Sequence, residues 1–259
     1  MEAGLNLFTL RHAIKTEEDF LSTANRLREM GYTYLQFSGA PFNADMIARV
    51  SKESGLPIVL THVPMDRIIG DTEALMEEHS KFGCTSIGLG MMPIDVLVDE
   101  SACKAKIEEL EAAGEKMAKN GFKFFYHHHH YEFTKYSGET VFDYMLKTTK
   151  YINFIADTYW LQYGGVDVAK YLEKLSGRIE CVHLKDYKML TTKKDDGKYE
   201  VKPVFAPVGD GTLDFTSIVA AAKKSGAKYF LVEQDNAPEL ENPFGLVEQS
   251  IKYIREVLA

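Results

Sequence analysis

Eight short runs rich in β-branched and aromatic residues recur along this chain, separated for the most part by charged, amphipathic stretches of helical length. That alternation is the signature of βα units and a parallel sheet. The predicted strands cover 5–10, 32–37, 57–62, 86–89, 123–129, 152–157, 179–184 and 229–233, and the predicted helices include 17–30, 45–54, 72–82, 101–120, 166–175 and 244–258. At Met30-Gly31, Ser54-Gly55, Asn120-Gly121 and Ser225-Gly226 a glycine stands where a helix can end in the left-handed conformation, and a strand follows. No Pro/Ser-rich linker or shift of composition divides the 259 residues. Eight consecutive units without a break predict one α/β domain over 1–259, a closed (β/α)8 TIM barrel, with an open doubly wound sheet as the rival. The segment 187–212, with its lysines, aspartates, prolines and glycines, departs from the rhythm and reads as a long loop after strand seven, placed to act as a lid or to be a solvated insertion.

Composition narrows the function. With 30 Lys plus Arg against 38 Asp plus Glu, the net charge of −8 repels polyanions, which makes nucleic acid and anionic membranes poor partners. Cys84, Cys103 and Cys181 are widely spaced without a CxxC pair, and they read as reduced packing residues. The first ten residues lack a secretory pattern, and no run approaches the roughly 18 apolar residues of a membrane span, so a cytoplasmic protein is expected. For assembly, a homodimer is the default expectation.

The chemistry-bearing side chains gather at the carboxyl ends of the predicted strands. His62 ends strand three, and His127 to His130 end strand five with Glu132 after them; Asp157, His183 and Glu233 end strands six, seven and eight. In a closed barrel these ends face one mouth, where barrel enzymes build their sites. Single residues of this kind are commonly caps or turn formers. Five strands ending this way instead predict a mixed imidazole and carboxylate site for a divalent metal, manganese first, with cobalt, zinc, iron or magnesium as alternatives. A strand period of two lets only half of the histidine run face the axis, and His127 and His129 are the expected pair.

At these residues the chain resembles the sugar phosphate isomerase/epimerase proteins of the xylose isomerase-like TIM barrel superfamily, which also includes inosose dehydratases, ketose 3-epimerases and endonuclease IV. The likeness rests on Gly31-Tyr32 with Leu35-Gln36-Phe37-Ser38-Gly39, Tyr126 to Phe133, Asp157-Thr158-Tyr159-Trp160, His183-Leu184-Lys185-Asp186 and Val232-Glu233-Gln234-Asp235. The strand-five motif of the family usually reads Tyr-His-Asn-His-x-x-Glu-Phe, and His128 stands here in place of the asparagine. The resemblance implies Asp157, His183 and Glu233 as metal ligands, with Glu132 or a histidine of 127–130 as the fourth. Ketose epimerases carry a substrate-contacting histidine three residues after the aspartate, where this chain has Trp160; that departure argues against their reaction.

The expected activity is a metal-dependent isomerisation or epimerisation of a small keto-sugar or polyol by proton transfer next to a carbonyl. Glu132 and Glu233 are the expected proton-moving carboxylates, with His127, His129 and Lys185 assisting, and His62, Gln36, Trp160 and Lys185 are expected to contact substrate. Lys185 has a plainer reading as a surface ion pair with Asp186. Competing readings are a metal-dependent lyase, dehydratase or 3-keto-glycoside-cleaving enzyme, and a metal-loaded carbohydrate-binding subunit without turnover.

Overall fold

The computed structural model describes residues 1–258. Eight parallel strands close into a barrel: β1 (Gly4–Asn6), β2 (Leu35–Phe37), β3 (Ile58–His62), β4 (Ser86–Leu89), β5 (Lys123–His127), β6 (Ile152–Asp157), β7 (Ile179–Leu184) and β8 (Tyr229–Val232). Each strand pairs with the next, and β8 pairs with β1. The chain is thus a (β/α)8 barrel rather than an open sheet. Glycines end the helices as expected, with φ of 103° at Gly31, 73° at Gly55, 80° at Gly121 and 104° at Gly226, a conformation that side chains resist. Strand β1 is shorter than the predicted 5–10, because the Asn6 side chain accepts a hydrogen bond from the Phe8 amide and caps a 3-10 turn over Leu7–Ala13.

The period of two along each strand sorts the barrel interior into tiers. Tyr34, Leu60, Phe125, Ile155, Cys181 and Leu231 pack against one another as an apolar plug, separate from the larger core between strands and helices. Two residues further along the same strands come Gln36, His62, His127, Asp157, His183 and Glu233. The plug makes the floor of a cup, and the next inward position on each of these six strands is polar. Gly4 completes the plug on β1, since a Cβ there would lie 2.2 Å from the Tyr34 ring. The cysteines are free and buried, and burial raises the Cys84 thiol to about 12 and the Cys103 thiol to about 11, as inert packing groups require.

The segment expected as a long loop is instead largely a β-hairpin, Asp186–Lys193 paired antiparallel with Tyr199–Ala206. Its turn, at Lys194 to Lys198, holds the charges that mimic a loop, while the β-branched alternation on either side supplies the strands. The Asp186 carboxylate accepts from the amides of Tyr187, Gly209, Gly211 and Leu213 and clamps the return of the chain. Among the described residues no helix is long and apolar enough to cross a membrane.

One buried histidine outside the mouth gives the fold a measurable acid sensitivity. His79, on the helix Thr72–Ser80, donates from Nδ1 to Leu75 O at 2.6 Å, accepts from the Thr61 hydroxyl at 2.7 Å and stacks on Phe42. Burial lowers its pKa to about 4. The unfolded chain takes up this proton at the ordinary value near 6.5 and the folded one does not, so above that pH its contacts stabilise without any pH dependence, and as pH falls toward 4 its titration withdraws up to about 3 kcal/mol. Urea unfolding of the wild type and His79→Asn between pH 7 and 4 is expected to show the stability gap narrowing with acidification; a constant gap would refute the assignment.

Candidate metal centre and the cavity above it

His127, Asp157, His183 and Glu233 each offer one ligand atom, and these atoms all lie within 4.8 Å of one another in a buried cluster. The imidazoles are oriented from behind. His127 Nδ1 lies 2.9 Å from the Gly90 carbonyl and His183 Nε2 lies 2.7 Å from Gln36 Oε1, so both N–H groups point outward and, in the neutral rings, His127 Nε2 and His183 Nδ1 carry lone pairs. Those two nitrogens stand 3.2 Å apart, and His183 Nδ1 stands 2.7 Å from Glu233 Oε2. Four electron-rich atoms converge on one buried point, and the Lys185 ammonium stands beside only the two carboxylates among them, so they can take a further positive charge. Burial works against a charged His127, yet the hydrogen bond to Asp157 and the charge of Glu233 raise it above the ordinary value, whereas burial keeps His183 below it. Two imidazole nitrogens and two carboxylate oxygens therefore fit a divalent first-row metal or magnesium.

The remaining supports are equally specific. Asp157 accepts from the Trp160 amide through Oδ1, capping the helix Thr158–Tyr163, which leaves Oδ2 for the cluster. Its own amide donates to His128 Nε2 at 3.0 Å. Asn6 Nδ2 donates to Glu233 Oε1 at 2.8 Å and turns Oε2 inward. Lys185 is buried, with Nζ 3.2 Å from both Asp157 Oδ2 and Glu233 Oε2 and 3.0 Å from Asp235 Oδ1. Burial opposes its charge, but those three carboxylates raise its pKa and keep it an ammonium. Asp157 goes the other way: burial is outweighed by Lys185 and His127, and its pKa falls to about 2.

Several expected residues occupy other places. Glu132 lies outside the cluster: it is fully buried on the outer side of β5, accepting from the Tyr126 hydroxyl at 2.6 Å and the His129 amide at 2.8 Å. Both oxygens are spent holding the turn after β5, so the geometry offers it neither as ligand nor as base. Gln36 also has no exposure to the cavity; it holds His183 through Oε1, and its Nε2 donates to His62. Trp160 stacks on His130 and lies 5.2 Å from the Lys185 ammonium, forming the far wall behind Lys185. Nor is Lys185 paired with Asp186 at the surface. His62, His127, His129, Lys185 and Glu233 do line one cavity of about 770 Å³, together with Asp235. Asp235 was not among the expected site residues; it lies in the turn beyond β8, where strand period gives no signal. Burial raises the Asp235 carboxyl to about 6, against the pull of Lys185. Fixing a ligand's tautomer usually accounts for a 10- to 100-fold factor in metal affinity. Gln36→Leu is accordingly expected to weaken binding of manganese or zinc by about that factor with the fold intact, as calorimetric titration would show; unchanged affinity would remove Gln36 from the support.

A family model described as xylose isomerase-like TIM barrel matches residues 24–257. The chain belongs to that family. Among curated proteins, an inosose dehydratase of Geobacillus thermodenitrificans is 34% identical over 114 residues, which is 41% of this chain and 38% of that protein. The match thus spans well under half of the relative. Among solved structures, a sugar phosphate isomerase/epimerase from Parabacteroides distasonis superposes with a TM-score of 0.81 at 22% identity, covering 99% of this chain and 98% of the other. A xylose isomerase-like TIM barrel protein from Mycobacterium smegmatis in complex with magnesium superposes with a TM-score of 0.69 at 15% identity, covering 99% and 96%. At these identities the superpositions speak for the fold alone.

Proposed function

We propose that the protein is a divalent-metal-dependent enzyme that moves a proton on the carbon beside the carbonyl of a small keto-sugar or keto-polyol. One observation carries the reading: two imidazole lone pairs and two carboxylates converge at the floor of a cavity in which Lys185 and Asp235 form a second pair, an ion pair at 3.0 Å. His127, Asp157, His183 and Glu233 would hold the metal, manganese before its neighbours. A bound divalent cation supplies Lewis acidity, stabilising negative charge on the substrate's carbonyl oxygen. The chain's own groups do the rest. Asp235 takes the proton from carbon and the electron pair moves toward the carbonyl oxygen. Returning the proton to the opposite face gives the epimer, while giving it to the former carbonyl carbon, with the neighbouring hydroxyl's proton passing to the former carbonyl oxygen, gives the isomer. Lys185 orients the Asp235 carboxylate. His62 and His129 are neutral, since burial lowers both, and present ring nitrogens to substrate hydroxyls.

A second reading shares the first step. The inosose dehydratase relatives favour elimination, in which the electron pair left by the proton expels the hydroxyl on the next carbon, which departs as water after protonation by Lys185. Incubating keto-sugars and inososes with the manganese-loaded protein in deuterated water separates the readings. Metal-dependent deuterium uptake beside the carbonyl, abolished by chelator, supports both; a product of unchanged formula supports isomerisation, and loss of water supports elimination. Binding of sugars without any exchange or product would leave a metal-loaded carbohydrate-binding protein and end the enzymatic reading.

A further inference from the structure

The cavity has two unlike halves. Its floor is polar, but the loops after β2, β3 and β4, together with the 3-10 turn after β1, line the opposite side with Phe8, Pro41, Val63, Pro64, Met65 and Met91. Each of the three loops carries a proline at the wall, Pro41, Pro64 or Pro93, and Pro64 and Pro93 begin the short helices Met65–Gly70 and Ile94–Leu97. With φ fixed by its ring, each proline holds its loop in place before a ligand arrives. Met91 remains 44% exposed at the mouth.

Such a wall does nothing for a polyol, whose hydroxyls it would strip of water without replacing their hydrogen bonds. At about 770 Å³ the cavity falls in the roughly 300–1,000 Å³ range of sites for drug-sized ligands, more room than a lone monosaccharide fills. Charge excludes a phosphate as the extra part. The charged residues lining the cavity are Asp66, Glu233, Asp235 and Lys185, and the one cation among them is already held by carboxylates.

We infer that the substrate is a neutral keto-glycoside or similarly substituted keto-sugar, its sugar end at the metal centre and an aryl or alkyl substituent on the wall of Phe8, Val63, Pro64, Met65 and Met91. The inference rests on the proposed function for its sugar end and adds the substituent. Apolar contact of this size raises affinity by about tenfold or more.

Calorimetry on the manganese-loaded protein with phenyl β-glucoside, glucose and glucose 6-phosphate tests it. The phenyl glycoside is expected to bind about tenfold or more tighter than glucose, and the phosphate no tighter than glucose. Met91→Asp, and separately Met65→Asp, are expected to bring the ratio of phenyl glycoside to glucose close to one, with manganese content measured alongside. Equal affinities in the wild type, preference for the phosphate, a preference that survives both substitutions, or no binding of either neutral ligand in the millimolar range would each overturn the inference. Line broadening by bound manganese keeps the two readings apart. Sugar protons broadened more than phenyl protons place the polyol at the metal, while tight phenyl glycoside binding without that gradient would sink the metal-centred function and leave the apolar subsite standing.

Discussion

Asp157→Asn should lose its metal and, with it, at least about 10³-fold in turnover, the largest effect expected of any single change in this protein. The carboxylate serves two structures at once: Oδ1 caps the helix Thr158–Tyr163 and Oδ2 faces His127, His183 and Lys185. Asparagine keeps a carbonyl oxygen for the cap, so the fold should survive, but it removes one of the two negative charges that face the cation. In a buried cup that charge matters more than at a surface, because little water screens the exchange of carboxylate for amide. Elemental analysis should find manganese or zinc reduced to trace levels after mild chelation that leaves the wild type loaded, and thermal unfolding should show that added metal no longer raises the midpoint. A variant that keeps its metal and its response would remove Asp157 from the ligand set and, with it, the common point toward which the four side chains turn.

How much of this was legible in the sequence follows from which physical signals are local. The eight βα units were readable because period two and period 3.6 are written in consecutive residues, and strands 86–89, 152–157 and 179–184 have the boundaries read from them. Asp157, His183 and Glu233 could be set at one mouth because each ends a predicted strand, and the family resemblance implied them as a set. In the structure each follows an apolar inward residue by two positions, Ile155, Cys181 and Leu231. His127 obeys the same rule after Phe125 and completes the cluster. Glu132 stands beyond the end of β5, in a 3-10 turn where strand period no longer applies, and it folds back to Tyr126 on the outer side. Its chemical type suggested a ligand; its position was not encoded by any periodicity. The hairpin at Asp186–Lys193 and Tyr199–Ala206 was hidden for a related reason, since the prolines and charges that mark its turn and edges are those of a loop. The role of Gln36 was out of reach as well. Its hydrogen bond to His183 spans 147 positions and depends on the closing of the barrel.

Asp235→Asn should lower turnover by about 10² to 10⁴ while leaving metal content and sugar affinity close to those of the wild type. The expectation follows from separating two groups of carboxylates in one cavity. Asp157 and Glu233 sit in the buried cluster and are committed to positive charge there, whereas Asp235 lies higher in the cavity and touches it only through Lys185. The amide still accepts a hydrogen bond from the Lys185 ammonium, so the packing around Lys185 and the cluster below should hold. What disappears is a lone pair basic enough to take a proton from carbon. Deuterium exchange into a bound keto-sugar should therefore fall in parallel with turnover, since both need the same first step. The matched comparison is Glu132→Gln, which removes one of the two acceptors that secure the turn after β5 and should cost about 1–3 kcal/mol of stability with the proton-transfer step largely retained. If instead Asp235→Asn exchanges deuterium within about threefold of the wild type while Glu132→Gln does not, the base is Glu132 reaching the cavity by a rearranged turn, and the geometry that sets Asp235 beside Lys185 serves only to balance charge.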